Sequence, residues 1–174
     1  MKVDKNIFFR EATLRICGSL KIEDALWSLF IYIKDYIPSF EAHLHYYNEA
    51  GITRTIAMAD SSGGRLLNIK TIYPPDVREY ISSGRIGEKY IANNTHDHPA
   101  LKYVFKDHCK KKISTLAQRL GVKKEWVGGI TLNALGNNCF TKEHLDLFLL
   151  INKPITIALS NSLRYRELLE KKER

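Results

Sequence analysis

Glu41, His43, His45 and Tyr47 occupy alternate positions of one short segment, and Phe40, Ala42, Leu44 and Tyr46 fill the positions between them. A period of two marks a strand, so the first set shares one face and the second the other. The polar face has two possible destinations, a ligand pocket or solvent. If it lines a pocket, His43, His45 and Tyr47, joined by basic side chains such as Lys70, Arg85 and Lys102, favour a small anionic or hydrogen-bonding molecule over a purely apolar one.

A second group, His96, Asp97, His98, His108 and Cys109, places nitrogen, oxygen and sulfur donors within 14 residues. A transition metal could use them, although the spacing fits no standard zinc pattern. The alternative is a polar loop in which His96 or Asp97 caps a helix begun by Pro99. Thiol chemistry needs a low-pKa nucleophile and a resolving partner. Cys109, beside Lys106, His108 and Lys110, could supply the first and Cys139 the second, while Cys17 adjoins a helical stripe and reads as core. Three cysteines without a CxxC pair suit free thiols in a reducing compartment. Ser-His-Asp order, paired catalytic carboxylates, a Gly-rich dinucleotide turn and a GxxxxGK[ST] phosphate loop are all missing from the sequence, so no reaction is assigned and the chain reads as a non-enzyme with no cofactor that can be named.

These residues must be held by elements, and the apolar spacing predicts them. Phe8, Ala12, Ile16 and Leu20 recur every four positions over residues 5–20, and Ile22, Ala25, Leu26, Leu29, Phe30, Ile33 and Ile37 continue the helical period up to Pro38. Trp27 and Ile31 widen that second stripe, so it should bury against a sheet and against a second subunit. Residues 40–47 and 54–59 form a hairpin through Asn48, Glu49, Ala50 and Gly51, with residues 61–64 breaking the pairing and residues 66–72 a third strand. Pro74 and Pro75 begin a helix reaching about Ser83, residues 86–92 are extended, 93–99 form a loop and 100–107 a short helix. A second hairpin spans 113–122 and 126–135, turning through Lys123, Lys124 and Glu125. Thr141 caps a long final helix striped by Leu145, Phe148, Leu149, Ile155, Leu159 and Leu163, which Pro154 should kink. No internal repeat is visible.

The chain has 174 residues, 44% of them hydrophobic and 26% charged, with 27 Lys and Arg against 19 Asp and Glu for a net charge of +8. That is one folded domain, core residues 5–163 with 164–174 the start of an exit helix, able to bury a core without disulfide or metal. The longest apolar run, residues 25–33, is too short to cross a membrane and no signal peptide opens the chain, so a cytoplasmic location is expected. The positive balance, with clusters at Lys106, Lys110, Lys111 and Lys112 and at Lys171, Lys172 and Arg174, permits anionic partners, and nucleic-acid binding is its rival reading.

The order of elements predicts an α+β fold with a mainly antiparallel sheet of five or six strands. It resembles the GAF sensory domain, and three stretches sharpen the resemblance: FFREATLRICGSLKIEDALWSLFIYIKDYIP, NNTHDHPALKYVF and FTKEHLDLFLLINKPITIALSNSLRYRELL. Together they look like the N-terminal GAF domain of bacterial enhancer-binding activators that work with sigma-54. The resemblance implies terminal helices on one sheet face and short helices or loops over a pocket on the other, into which Glu41, His43, His45 and Tyr47 would look. It further implies a small effector, a homodimer joined by helices, and an ATPase and a helix-turn-helix elsewhere in the full-length chain, with no direct nucleic-acid binding by these residues. Two alternatives come with it: a GAF-bound iron sensing nitric oxide, for which Arg85, Asp97 and Cys109 are loosely placed, and a GAF-fold reductase of free methionine sulfoxide using pocket cysteines. Bilin binding is disfavoured because His108 precedes Cys109, and cyclic-nucleotide binding is unsupported because no acidic pair follows Asn152 and Lys153.

Overall fold

The computed structural model describes residues 2–47, 51–108, 110–123 and 125–172. In chain order the elements are α1 (Lys5–Cys17), α2 (Ile22–Ile33), β1 (Glu41–Tyr47), β2 (Thr53–Asp60), β3 (Gly63–Thr71), α3 (Pro75–Ser82), β4 (Lys89–Ala92), α4 (Leu101–Val104), β5 (Ile113–Val122), β6 (Glu125–Leu135), α5 (Lys142–Leu149) and α6 (Asn152–Lys172), with a 3-10 turn over Thr95–Asp97. The strands form one antiparallel sheet in the order β3-β2-β1-β6-β5-β4. β1 and β6 are therefore central, and each strand's residues reach both faces.

One face carries the main core. Ala42, Leu44, Ile56, Leu116, Leu120, Ile130 and Leu132 from the sheet meet Phe8, Ala12 and Ile16 of α1, Leu26, Leu29 and Ile33 of α2, and Ile155 and Leu159 of α6. The wide α2 stripe is thus covered by the sheet of its own chain. The opposite face is covered by α3, the 3-10 turn and α4, whose smaller clusters centre on Tyr73, Val77 and Ala100 and on Leu101 and Phe105. Among the described residues no helix is long and apolar enough to cross a membrane.

Local signals account for the boundaries. The Asp4 carboxylate accepts the amides of Asn6 and Ile7 at the start of α1, and Pro75 opens α3 where its missing N–H costs nothing. Thr141 and His144 cap α5 reciprocally, Oγ1 accepting the His144 amide at 3.3 Å and Nδ1 accepting the Thr141 amide at 3.0 Å. Several expectations are corrected. The final helix is broken into α5 and α6, with Pro154 buried in the first turn of α6 rather than kinking one rod. Residues 61–64 do not break the sheet, because β3 begins at Gly63 and pairs from there. Residues 86–92 contribute strand only from Lys89, residues 100–107 are helical only over Leu101–Val104, and Cys17 is exposed rather than core. Asn48, Glu49, Ala50, Lys124 and Cys109 lie outside the described residues, so the two hairpin turns and every reading placed on Cys109 do too.

Candidate functional site

Both faces of β1 are buried, which resolves the alternation: the polar set faces the side of α3 and α4. Glu41, His43 and His45 are all less than 5% exposed, and Tyr47 is half-buried. The neighbouring strands add polar groups to the same face. His45 pairs across β2 with Thr55 and faces Thr131 of β6, so that Thr55 Oγ1 lies 3.0 Å from Nδ1 and Thr131 Oγ1 lies 3.0 Å from Nε2. With both ring nitrogens satisfied by hydroxyls, burial lowers the His45 pKa to about 4 and the ring stays neutral.

Deeper along β1, the Glu41 carboxylate receives His108 Nε2 at 2.6 and 2.8 Å and the Asn133 amide at 3.1 Å. Thr115 donates to Asn133 Oδ1 at 2.7 Å, and Thr95 lies 2.7 Å from Thr115, so a chain of side-chain bonds runs from the 3-10 turn to the carboxylate. The bond to Glu41 raises the His108 pKa. His43 is held neutral well below the usual histidine value, first by burial and then by the nearby His45 and His108.

Toward the other end of β1 the face opens into a cavity of about 330 Å³, within the size of small-molecule sites. Its apolar wall comes from Ile81 of α3, Ile86 just beyond it, Ala100 before α4, and Leu101 and Val104 of α4. Aromatic rings of Tyr47, Tyr73, Tyr90 and Trp126 line the rest. Burial pushes the Tyr47, Tyr73 and Tyr90 phenols up, so they act as neutral hydrogen-bonding groups. Tyr73 already donates to Thr53 at 2.9 Å. The half-buried Arg119 enters from β5, its guanidinium 6.0 Å from the Tyr47 ring centre, 5.8 Å from that of Trp126 and bonded to the Ile81 carbonyl at 3.2 Å. Arg78 of α3 stands exposed at the rim.

Of the residues singled out in the sequence, the structure brings His45 and Tyr47 to the cavity wall and sets His43 beside the Glu41 cluster instead. Lys70, Arg85 and Lys102 do not line the cavity. Lys70 is exposed on β3, Arg85 bonds Ser83 and approaches the Tyr80 ring, and Lys102 approaches the Tyr103 ring. The cations at the site are Arg119 and Arg78, which sequence reasoning missed because neither belongs to a motif. His96, Asp97 and His98 form the polar loop: Asp97 accepts from Asn94, and His98 Nδ1 accepts the amides of Ala100 and Leu101 at 3.2 and 3.1 Å. His98, rather than His96 or Asp97, thus takes the amides that lead into α4, whose N-cap position is Ala100. Among the described residues, Asp97 belongs to no group of three histidine, cysteine, aspartate or glutamate donors close enough to hold a metal.

No family model and no curated protein matches this sequence. Solved structures do. The phycocyanobilin-bound GAF domain of a cyanobacterial phytochrome is similar at TM-score 0.63 and 16% identity, over 93% of this chain and 97% of that one. The GAF domain of A. aeolicus nlh2 in an inactive state gives 0.59 and 15%, over 90% and 95%. The free methionine-R-sulfoxide reductase of Neisseria meningitidis with its substrate gives 0.63 and 11%, over 95% and 96%. A six-stranded antiparallel sheet with terminal helices on one face and a cavity on the other is, by these likenesses, the GAF fold.

Proposed function

We propose that this chain is a ligand-sensing regulatory domain whose effector occupies the cavity beside β1. The observation that carries the reading is a cavity walled by apolar and aromatic side chains into which one half-buried guanidinium, Arg119, projects. That combination suits a small molecule with an apolar or planar body and one anionic or hydrogen-bond-accepting end. Arg119 takes the anionic end, Arg78 supports it at the rim, and neutral Tyr47 and the remaining capacity of the Thr131 hydroxyl offer hydrogen bonds along the floor, where His45 is already bonded to Thr55 and Thr131. In this reading the domain binds rather than reacts; Cys17 and Cys139 do not line the cavity, and Cys109 lies outside the described residues.

The terminal stretches that resemble sigma-54-dependent activators support a finer reading. In it the domain works as a homodimer through α1 and α6, and effector binding shifts the orientation of α6, which passes the change to ATPase and helix-turn-helix regions of the same full-length protein. DNA contact then belongs to those regions, and the surface lysines are solvated.

A thermal-shift screen of polar and anionic metabolites tests the cavity. A true effector at 100 times its Kd should stabilise by about 2.7 kcal/mol. Arg119→Ala should abolish that shift while leaving a folded protein. Stabilisation only by uncharged apolar compounds, unchanged in Arg119→Ala, would refute the ligand class.

A further inference from the structure

Outside the cavity, one group of side chains among the described residues is placed to hold a metal ion. Glu41 and His43 are two residues apart on β1 and so share its polar face, while His108 arrives from the turn beyond α4. One donor atom from each lies within 4.8 Å of the others. The His43 and His108 rings stand edge to face at 4.9 Å, and Phe105 packs against both, at 5.1 and 5.7 Å.

Ordinary hydrogen bonding leaves this group incomplete. His43 Nε2 is 3.9 Å from Glu41 Oε2, beyond hydrogen-bond reach, and His43 Nδ1 is buried with no partner among the described residues. A neutral imidazole placed against a buried carboxylate without bonding it costs desolvation and returns little. A cation between the three side chains would engage one ring nitrogen of His43 together with the Glu41 carboxylate and His108. The carboxylate is also already aimed, since the Asn133 side-chain amide donates to Oε1 from behind and is itself held through Thr115 by Thr95, in the manner of outer-shell partners.

We propose that Glu41, His43 and His108 form a binding site for a divalent first-row transition metal ion. Two imidazoles and one carboxylate are the donor set of open zinc and non-haem iron(II) sites, which keep further coordination positions for water or an added ligand. Hard cations such as calcium and magnesium prefer all-oxygen sets, so they are excluded by the two nitrogens. Metal–ligand bonds of about 2.1 Å place adjacent donors about 3.0–3.4 Å apart. The His108–Glu41 contact must therefore open by a few tenths of an ångström and His43 must close in. His108 can make that movement, because its side chain is 29% exposed at the end of a turn. The same exposure gives the ion its entry path and puts its open positions on the solvent side. This site uses none of Arg85, Asp97 and Cys109, and it adjoins the cavity through His45, the next residue on the same face of β1 and part of the cavity wall.

The test is metal uptake by the whole chain after chelator treatment and dialysis. Titration with Zn²⁺, and with Co²⁺ followed by its visible absorption, should show one ion per chain. His108→Ala, whose side chain is partly exposed and should not disturb folding, and Glu41→Gln should each weaken Zn²⁺ by more than about 100-fold, beyond what outer-shell changes cost. His96→Ala should leave it unchanged. X-ray absorption of the zinc-loaded native chain should report two imidazoles and oxygen donors, a readout that does not depend on any variant folding. Failure of the stripped protein to take up Zn²⁺ or Co²⁺, uptake that persists in His108→Ala, or a first shell without imidazole would each overturn the assignment.

Discussion

At Gly129 the difference between a hydrogen and a methyl group sets the shape of the site. A Cβ there would lie 2.7 Å from the Tyr47 hydroxyl and 3.3 Å from the Gln118 carbonyl, so the phenol can lie against β6 only because the position is glycine. Its neighbour Gly128 is tighter and of a different kind, since a Cβ would sit 2.0 Å from the His45 carbonyl oxygen, a backbone atom of the adjacent central strand. A phenol can swing aside and a strand cannot. Gly129→Ala should therefore cost about 1–3 kcal/mol by urea denaturation, with the Tyr47 ring displaced into the cavity, and Gly128→Ala should cost more. A Gly128→Ala protein as stable as the parent would show that β1 and β6 do not approach this closely. The same scale shows what was legible. Alternation alone put Glu41, His43, His45 and Tyr47 on one face, because a strand's period is local. Nothing local could say that Glu41 meets His108, 67 positions away, or that Arg119, inside a strand that reads as apolar, supplies the cation Lys70, Arg85 and Lys102 were expected to give.

Elements whose signals are short-range match the expectation from sequence, and those that depend on partners do not. The starts of α1 and α2, the strand of β1 and the β5–β6 pairing follow from the apolar period, while α1 ends at Cys17 with Leu20 fully exposed and α2 ends at Ile33, short of the Leu20 and Pro38 the spacing predicts. β3 was underestimated because Gly63 and Gly64 read as breakers, yet Gly64 is required there: a Cβ would fall 2.0 Å from the Glu23 carbonyl at the start of α2. β4 is short because only Lys89–Ala92 find partners on β5, which no local pattern reports. The entry to α4 shows how a histidine acceptor makes a turn sensitive to pH. Its entry amides, from Ala100 and Leu101, both point at His98 Nδ1, while the ring stacks on Tyr90 at 4.7 Å. Protonating Nδ1 removes the acceptor, and burial accordingly lowers the His98 pKa to about 4. Because the folded value lies below the ordinary 6.5, the unfolded chain binds more protons between the two, and His98's contribution is present above pH 6.5 and lost as pH falls toward 4. Buried His43 and His45 act in the same direction and His108 in the opposite one, so the test is a difference. His98→Asn, which keeps a side-chain acceptor, should flatten the stability loss between pH 6.5 and 4, whereas His98→Ala should cost about 1 kcal/mol at neutral pH. Equal acid sensitivity in the parent and His98→Asn would remove His98 from the account.

On the scale of the whole molecule, the core side of the sheet is closed by α1, α2 and α6, but the outer surfaces of those helices are not polar. Ile7, Phe9 and Leu14 are exposed on α1, and Ile157, Tyr165, Leu168 and Leu169 on α6. At 100° per residue the four α6 positions fall within an arc of about 120°, a stripe of the width one helix shows another. The buried positions of α6 end at Leu159, so its last turns run beyond the core that anchors its beginning. A helix that is apolar on one side and unsupported by its own domain gains stability by pairing, and a second copy presents the same stripe under two-fold symmetry. The net charge of +8 opposes association only weakly at physiological salt, where the screening length is about 8 Å, and the α6 terminus itself mixes Arg164, Arg166, Glu167, Glu170, Lys171 and Lys172. Light scattering at tens of micromolar should therefore report a dimer. Leu168→Glu combined with Tyr165→Glu should shift it to monomer without lowering the melting temperature of the sheet domain, since neither side chain belongs to the core. A monomer at all concentrations in the parent protein would eliminate the proposed helical interface, and with it the proposed route from the cavity to an output region, while leaving the proposal of ligand binding in the cavity untouched.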